Sequence, residues 1–288
     1  MNTKRNLGIL TLLGVSLFFA SCSEEEVSES EEKQEIVADE EDDSLFKEEL
    51  AYAVDAPTTK IMYYGEEIEV ADNDGEYVFG GDIIVEPDDP ELAAKGVVRT
   101  KGLWPKNVVP YVIDKNVPNK SRIFEAMKHI YEKTGIRFTQ RKKHKDYVRF
   151  RRIKSGCNSR LGRVGGRQDL NISDKCDRGL IIHEIGHALG MLHEMQRSDR
   201  DKFITIYWEN IQKGQERNFF KAKKFGVKDP KDIGSFDYGS IMMYNSRAFA
   251  KSKKVLTMVH KRGFKLGAQR NGFSDGDVKT IKKLYKIK

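Results

Sequence analysis

The sequence predicts an α/β (α+β) fold over residues 96–288, and three observations point to it. Segments of period-two alternation such as "YVRFRRI" are interspersed with segments of helical period such as "KSRIFEAMKHIYEKTG". A second helical stretch, "RGLIIHEIGHALG", runs into a glycine. Regular periodicity then fades until a last capped segment, "SDGDVKTIKKLYKI". No internal repeat is visible.

At 288 residues the chain has room for one large domain, or two small ones, plus an extension. Charge divides it. Residues 1–95 carry 6 Lys/Arg against 26 Asp/Glu, a net of −20, and residues 96–288 carry 45 against 18, a net of +27. An acidic leader on a basic body reads as two units that attract each other. Lys4 and Arg5, the apolar run from Leu7 to Ala20, then Ser21 and Cys22 follow the order of a secretory signal peptide over 1–22. That run falls short of the roughly 20 residues a membrane-spanning helix needs. "FFASC" resembles a bacterial lipobox with Phe19 where leucine is usual, so Cys22 would be lipidated and anchor the protein to the outer membrane or cell surface. Ordinary cleavage and full secretion is the competing reading.

From Glu24 to Glu49 there are 14 acidic residues and two lysines, with too little apolar surface to fold, so 23–49 is expected to be a disordered tether. Residues 50–95 regain alternation in "EIEVADNDGEYVFGGDIIVE", which suggests short extended segments without a core of their own. In the body, "NVVPYVID" (107–114) reads as a strand. The helix at 120–135 sets Ile123, Met127 and Ile130 on one face and closes at Gly135. "IRFTQR" and "YVRFRRI" read as half-buried strands, and a second helix ends at Gly190. Ser274 and Asp277 form a capping box for the last helix. Beyond the leader only Cys157 and Cys176 remain, 19 positions apart, and in an exported chain such a pair is expected to be bonded.

The chemistry concentrates in "HEIGHALGMLHE". His183 and His187 are four apart and share one helix face, so both rings can reach one ion. Glu184 sits beside that face, within reach of a metal-coordinated water. Gly190 allows the sharp turn that would return His193 as a third ligand. Three protein nitrogens leave a position open, the layout of a catalytic rather than a structural zinc site. HExxH alone is moderate evidence, because a core helix with histidines bonded to backbone is the bland alternative. Gly190 and His193 at fixed offsets make that alternative far less economical.

These residues match the long metzincin signature HExxHxxGxxH, and Glu194 with "RSDRD" behind it resembles the astacin family in particular. "SIMMY" (240–244) resembles that family's Met-turn, S-x-M-H-Y, with Met243 in place of the histidine. The resemblance implies that Met242 forms the apolar floor under the metal and that Tyr244 is a switchable fifth ligand. "SGCNSRLGR" resembles the edge strand over the cleft, and Cys176 matches the expected disulfide partner of Cys157. "FGGD" (79–82) resembles the prosegment motif F-x-G-D, which makes Asp82 the latency ligand; a plain Gly-Gly-Asp turn is the alternative, and an unlipidated Cys22 is a competing thiolate. Glu194 either anchors the N-terminus freed on activation or is a surface carboxylate paired with Arg197 or Arg200. The lack of a second disulfide suggests a bacterial form.

The resemblance implies a two-lobed metzincin zinc-peptidase fold. A mixed twisted sheet with active-site and backing helices would fill lobe 96–190, and 191–288 would be largely irregular with a terminal helix. Residues 50–95 would be an inhibitory propeptide. It also implies one catalytic Zn2+, with Glu184 as general base and Tyr244 supporting the oxyanion, and protein or peptide substrates. An activating protease would cut near Lys95, Arg99 or Lys101. Two other readings remain: a non-catalytic basic surface protein binding polyanions, and a zinc hydrolase acting on something other than peptides. No nucleic-acid motif is visible, so no specific nucleic-acid partner is expected.

Overall fold

The computed structural model describes residues 56–63, 65–73, 75–88, 102–225 and 232–288. The signal peptide and lipobox with Cys22, the tether at 23–49, and Lys95, Arg99 and Lys101 lie outside the described residues. Among the described residues nine strands form one sheet: β1 (Thr58–Tyr63), β2 (Glu66–Asn73), β3 (Glu76–Phe79), β4 (Ile83–Val85), β5 (Val108–Ile113), β6 (Arg137–Gln140), β7 (Tyr147–Arg152), β8 (Cys157–Arg160) and β9 (Arg167–Ile172). Their order is β1-β2-β3-β4-β8-β9-β7-β5-β6. The first four form an antiparallel meander. Strands β6, β5, β7 and β9 run parallel, and β8 is antiparallel to β9.

Period-two alternation explains β7. Val148 and Phe150 point into the core while the intervening arginines face out, and Arg149 grips Asp169 of β9 through two bonds of 2.9 and 2.7 Å. Helix α1 (Ser121–Thr134) buries Ile123, Met127 and Ile130 and stops where Gly135 takes a left-handed φ of 80°. Helix α2 (Arg178–Ala188) is buried from Gly179 to Ala188, the mark of a central rather than a surface helix. Asp177 caps it by accepting from the Leu180 amide at 3.0 Å. The helix stops at Ala188, two residues before the expected Gly190, because Leu189 and Gly190 already turn back onto its last carbonyls. Both helices share one apolar core with β5, β7 and β9.

Past Gly190 the chain is held by short turns, a two-stranded pair β10 (Ile204–Ile206) with β11 (Met258–His260), and helix α3 (Asp275–Tyr285). Side chains satisfy backbone there in place of a ladder: Asn210 donates to Leu256 O at 2.8 Å, and Thr257 to Ala248 O at 2.8 Å. Ser274 and Asp277 form the capping box of α3. The meander, read as lacking a core of its own, completes one with the body: Ile61, Tyr63, Val70, Phe79 and Ile83 cluster with Leu161, and Leu192 and Phe220 pack against them.

Cys157 and Cys176 are bonded, with Cα atoms 6.2 Å apart. The bond ties the start of β8 to the residue before the α2 cap. Replacing both cysteines with serine is expected to lower the unfolding free energy by about 2–4 kcal/mol, read from denaturant melts.

Candidate metal centre

Helix α2 presents His183 and His187 on one face, with Nε2 atoms 3.1 Å apart. Gly190, at φ 101°, lets the chain double back. His193 then faces the pair, its Nε2 3.3 Å from that of His183. The fourth group comes from the meander. Asp82 Oδ2 lies 3.1 Å from His183 Nε2 and 3.2 Å from His193 Nε2, and Oδ1 lies 3.3 Å from His187 Nε2. All four side chains are buried.

Donor chemistry tests whether a cation fits. His183 Nδ1 lies 2.8 Å from Ile241 O, and His187 Nδ1 lies 2.8 Å from Met191 O. A carbonyl only accepts, so both Nδ1 atoms carry the proton and both Nε2 atoms keep a lone pair. Burial pushes His193 down to about 3, leaving it neutral. Two imidazole lone pairs, the neutral His193 ring and the Asp82 carboxyl thus converge with too few protons to join them all, and among the described residues Asp82 Oδ1 has no hydrogen-bond partner. A single zinc-sized cation satisfies this donor set.

Two glycines deliver Asp82. Gly80 and Gly81 have φ of 60° and 89°, and a Cβ on Gly81 would sit 2.7 Å from the Tyr244 hydroxyl and 2.9 Å from Phe249. The Asp82 carbonyl accepts from Ser159 N at 3.1 Å, and β4 then runs parallel to β8 with Ile83 opposite Ser159. Glu184 is fully buried next to His183. The Tyr244 ring packs 4.6 Å from that of His193, and its hydroxyl donates to Gly80 O. Met242 is fully buried beneath α2. A Cβ on Gly186 would come within 2.9 Å of its sulfur, so the glycine inside HEIGH is what lets the methionine approach.

Asp277 is a supporting residue that the sequence disclosed only as a helix cap. Its carboxylate also accepts from Ser240 Oγ at 2.6 Å and Ile241 N at 2.9 Å, and Ile241 O receives the His183 ring proton. No local pattern signals a bond spanning 36 residues. Glu194 is partly buried. It accepts from Asp237 N at 2.8 Å, lies 3.5 Å from Arg197, and is pushed up to about 7 by burial. Arg200 pairs with Asp201 at 2.9 Å instead. Glu194 borders a cavity of about 470 Å³ that Asp237, Asp275 and Asp277 also line.

Three histidines on a buried helix and the turn after it, with a buried methionine beneath, make a donor set suited to one zinc-sized cation. The sequence model of the Astacin peptidase family matches residues 96–286, and the chain belongs to that family, whose members use one zinc. Tolloid-like protein 1 of Mus musculus is 37% identical over 200 residues, covering 65% of this chain but 19% of that much longer protein. Zinc metalloproteinase nas-4 of Caenorhabditis elegans is 33% identical over 217 residues, 71% of this chain and 68% of its own. Among solved structures, high choriolytic enzyme 1, a hatching enzyme zinc-protease from Oryzias latipes, superimposes with a TM-score of 0.59 at 34% identity, covering 66% of this chain and 96% of that one.

If Asp277 orients His183 through the Met-turn, Asp277→Ala should weaken zinc binding about 10–100-fold in chelator competition. Unchanged affinity would exclude that role.

Proposed function

We propose that the chain is an exported zinc endopeptidase, made as a latent precursor and cleaving peptide bonds in proteins. The observation that carries this is the position of Asp82 among His183, His187 and His193, where water and substrate would have to enter. Export rests on the signal-peptide pattern at 1–22, with Cys22 as the lipidation site if the protein stays on the cell surface.

His183, His187 and His193 would hold zinc, which would supply a Lewis acid and lower the pKa of a coordinated water towards about 7. Glu184, beside the cluster, would accept a proton from the attacking water and return it to the leaving amine. Its burial beside His183 keeps competing solvent away from the transfer. Tyr244, once its hydroxyl is free of Gly80 O, donates to the developing oxyanion. Met242 and Asp277 hold the floor and the His183 ring.

In the precursor, one short stretch opposes each of these functions. Asp82 takes the open ligand position, Gly80 O occupies the Tyr244 hydroxyl, and β4 covers β8, the edge on which an extended substrate would add. A protease cut near Lys95, Arg99 or Lys101 would separate this inhibitory segment from the body. The new N-terminal ammonium suits the carboxylate-lined cavity beside Glu194, which supports the anchoring role for that residue over the surface-pair reading.

Glu184→Ala should retain one zinc per chain by elemental analysis yet lose about a hundred- to ten-thousand-fold in turnover of casein. Undiminished cleavage would discard the mechanism. Asp82→Ala should let the uncut chain cleave casein in a chelator-sensitive way. A gain of about tenfold for each 1.4 kcal/mol of lost docking is expected; an uncut variant as silent as its parent would rule out Asp82 as the latency ligand.

A further inference from the structure

Beside the cleft, the short turns that follow Arg200 enclose a cavity of about 710 Å³ lined by Arg200, Trp208, Phe220, Lys221, Lys223 and Lys224. Of the four cations there, Arg200 and Lys221 share one carboxylate, Asp201, at 2.9 and 2.6 Å. Lys223 and Lys224 are exposed, and among the described residues neither has a carboxylate partner. Lys224 Nζ stands 4.2 Å over the Phe220 ring, and Trp208 is 41% exposed. Surplus positive charge between two aromatic walls suits an acidic segment that also carries apolar side chains. Catalysis as described above uses none of these six residues.

We propose that this pocket receives the chain's own acidic run Asp39–Asp43, fastening the inhibitory segment to the body at a second point. The inference rests on the latent reading above and adds a partner to it. Placement favours this occupant. Phe220 packs against the apolar cluster of the meander, and β2 touches the turn Ala222–Phe225 that bears Lys223 and Lys224, so the pocket adjoins the docked segment. Asp39–Asp43 is "DEEDD", five consecutive carboxylates, followed by Leu45 and Phe46. It lies 13 residues before Ala56, where the described meander starts. That length of chain reaches as far as about 45 Å when extended. Covalent linkage makes the encounter intramolecular, so weak ion pairs suffice to hold it. Cutting the chain after the meander turns the whole leader into a separate ligand and removes this advantage. The acidic run therefore strengthens latency before activation and leaves with the segment afterwards.

The test uses the full chain carrying Glu184→Gln, which prevents self-cleavage. Of its two tryptophans Trp104 is 2% exposed, so quenching by neutral acrylamide reads Trp208. Trp208 should be protected in this parent chain. Protection should be lost when Asp39–Asp43 are changed to Asn and Gln, and lost equally in Lys223→Glu/Lys224→Glu. It should return when the lysine reversal is combined with lysines at 39–43, which separates docking from misfolding. It should also fade as salt shortens the Debye length from about 10 Å at 0.1 M to about 3 Å at 1 M. Identical quenching across the set would overturn the proposal. So would a heparin oligosaccharide that shifts Trp208 emission as strongly in the parent as in the neutralised leader, since the pocket would then be open to outside polyanions. Quenching needs neither zinc nor turnover, so its failure is distinguishable from failure of Asp82 latency, which is read only in the casein assay.

Discussion

A carboxylate and three imidazole nitrogens meet at one dry point, and the surrounding structure exists to hold them there. Burying an ionised carboxylate costs several kcal/mol unless a countercharge stands beside it. His193 is neutral, and the rings of His183 and His187 have committed their protons to Ile241 O and Met191 O. Neutral rings are poor countercharges for Asp82, and a cation held among the four side chains would supply the charge it needs. The two orienting carbonyls come from different places, one from the Met-turn and one from the reversal after Gly190. Ligand geometry therefore depends on both halves of the body at once. Asp277 closes the circuit by tying Ser240 and Ile241 to the start of α3.

Under the proposed latency, the same point explains why so little of the leader would be needed to oppose activity. A stretch of four residues, Phe79 to Asp82, meets the metal ligands, the tyrosine and the cleft edge together. Left-handed Gly80 and Gly81 press the backbone against Tyr244 and Phe249, where a side chain at Gly81 would collide. Beyond it, β4 pairs in parallel with β8, and Arg160 grips Glu86 at 2.7 Å. The apolar cluster around Phe79 and Ile83 supplies the adhesion, since it is completed only by Leu161 of the body with Leu192 and Phe220 against it.

Much of this was legible in the sequence, for physical reasons that differ by element. Helix α1 and strand β7 announce themselves because each is amphipathic, so burial writes a period into the residues. The ligand set is legible because metal coordination demands particular atoms at particular spacings, and "HEIGHALGMLH" places three of them on one helix and its turn. What stayed hidden depends on contacts between distant segments. Gly186 looks like an ordinary helical glycine until Met242 is seen 2.9 Å from where its Cβ would be. Asp277 reads as a helix cap and is one, yet half of its bonds reach back to the Met-turn. Glu194 could be read as exposed or as anchoring because burial of a single carboxylate leaves no trace in its neighbours. The irregular body after Gly190 hides its contacts for the same reason, since its hydrogen bonds run from side chain to backbone across the lobe.

The cavity beside Glu194 is linked to the histidine cluster through hydrogen bonds. Glu194 N donates to Met242 O, and Glu194 Oε1 accepts from Asp237 N. Asp277, on the same cavity, holds Ser240 and Ile241, whose carbonyl orients His183. The cavity wall and the metal floor are thus one hydrogen-bonded unit. Burial pushes Glu194 up to about 7; the adjacent Asp277 and Asp237 carboxylates also oppose a third charge, and Arg197, 3.5 Å away, is divided between Glu194 and Asp199. An ammonium entering there would relieve that opposition and stabilise the charged form of Glu194, with the Met-turn held behind it. Under the anchoring role proposed for Glu194, removal of the leader does two separate things. It would vacate the fourth ligand position, and it would bring an ammonium to a cavity where four carboxylates face the single Lys279.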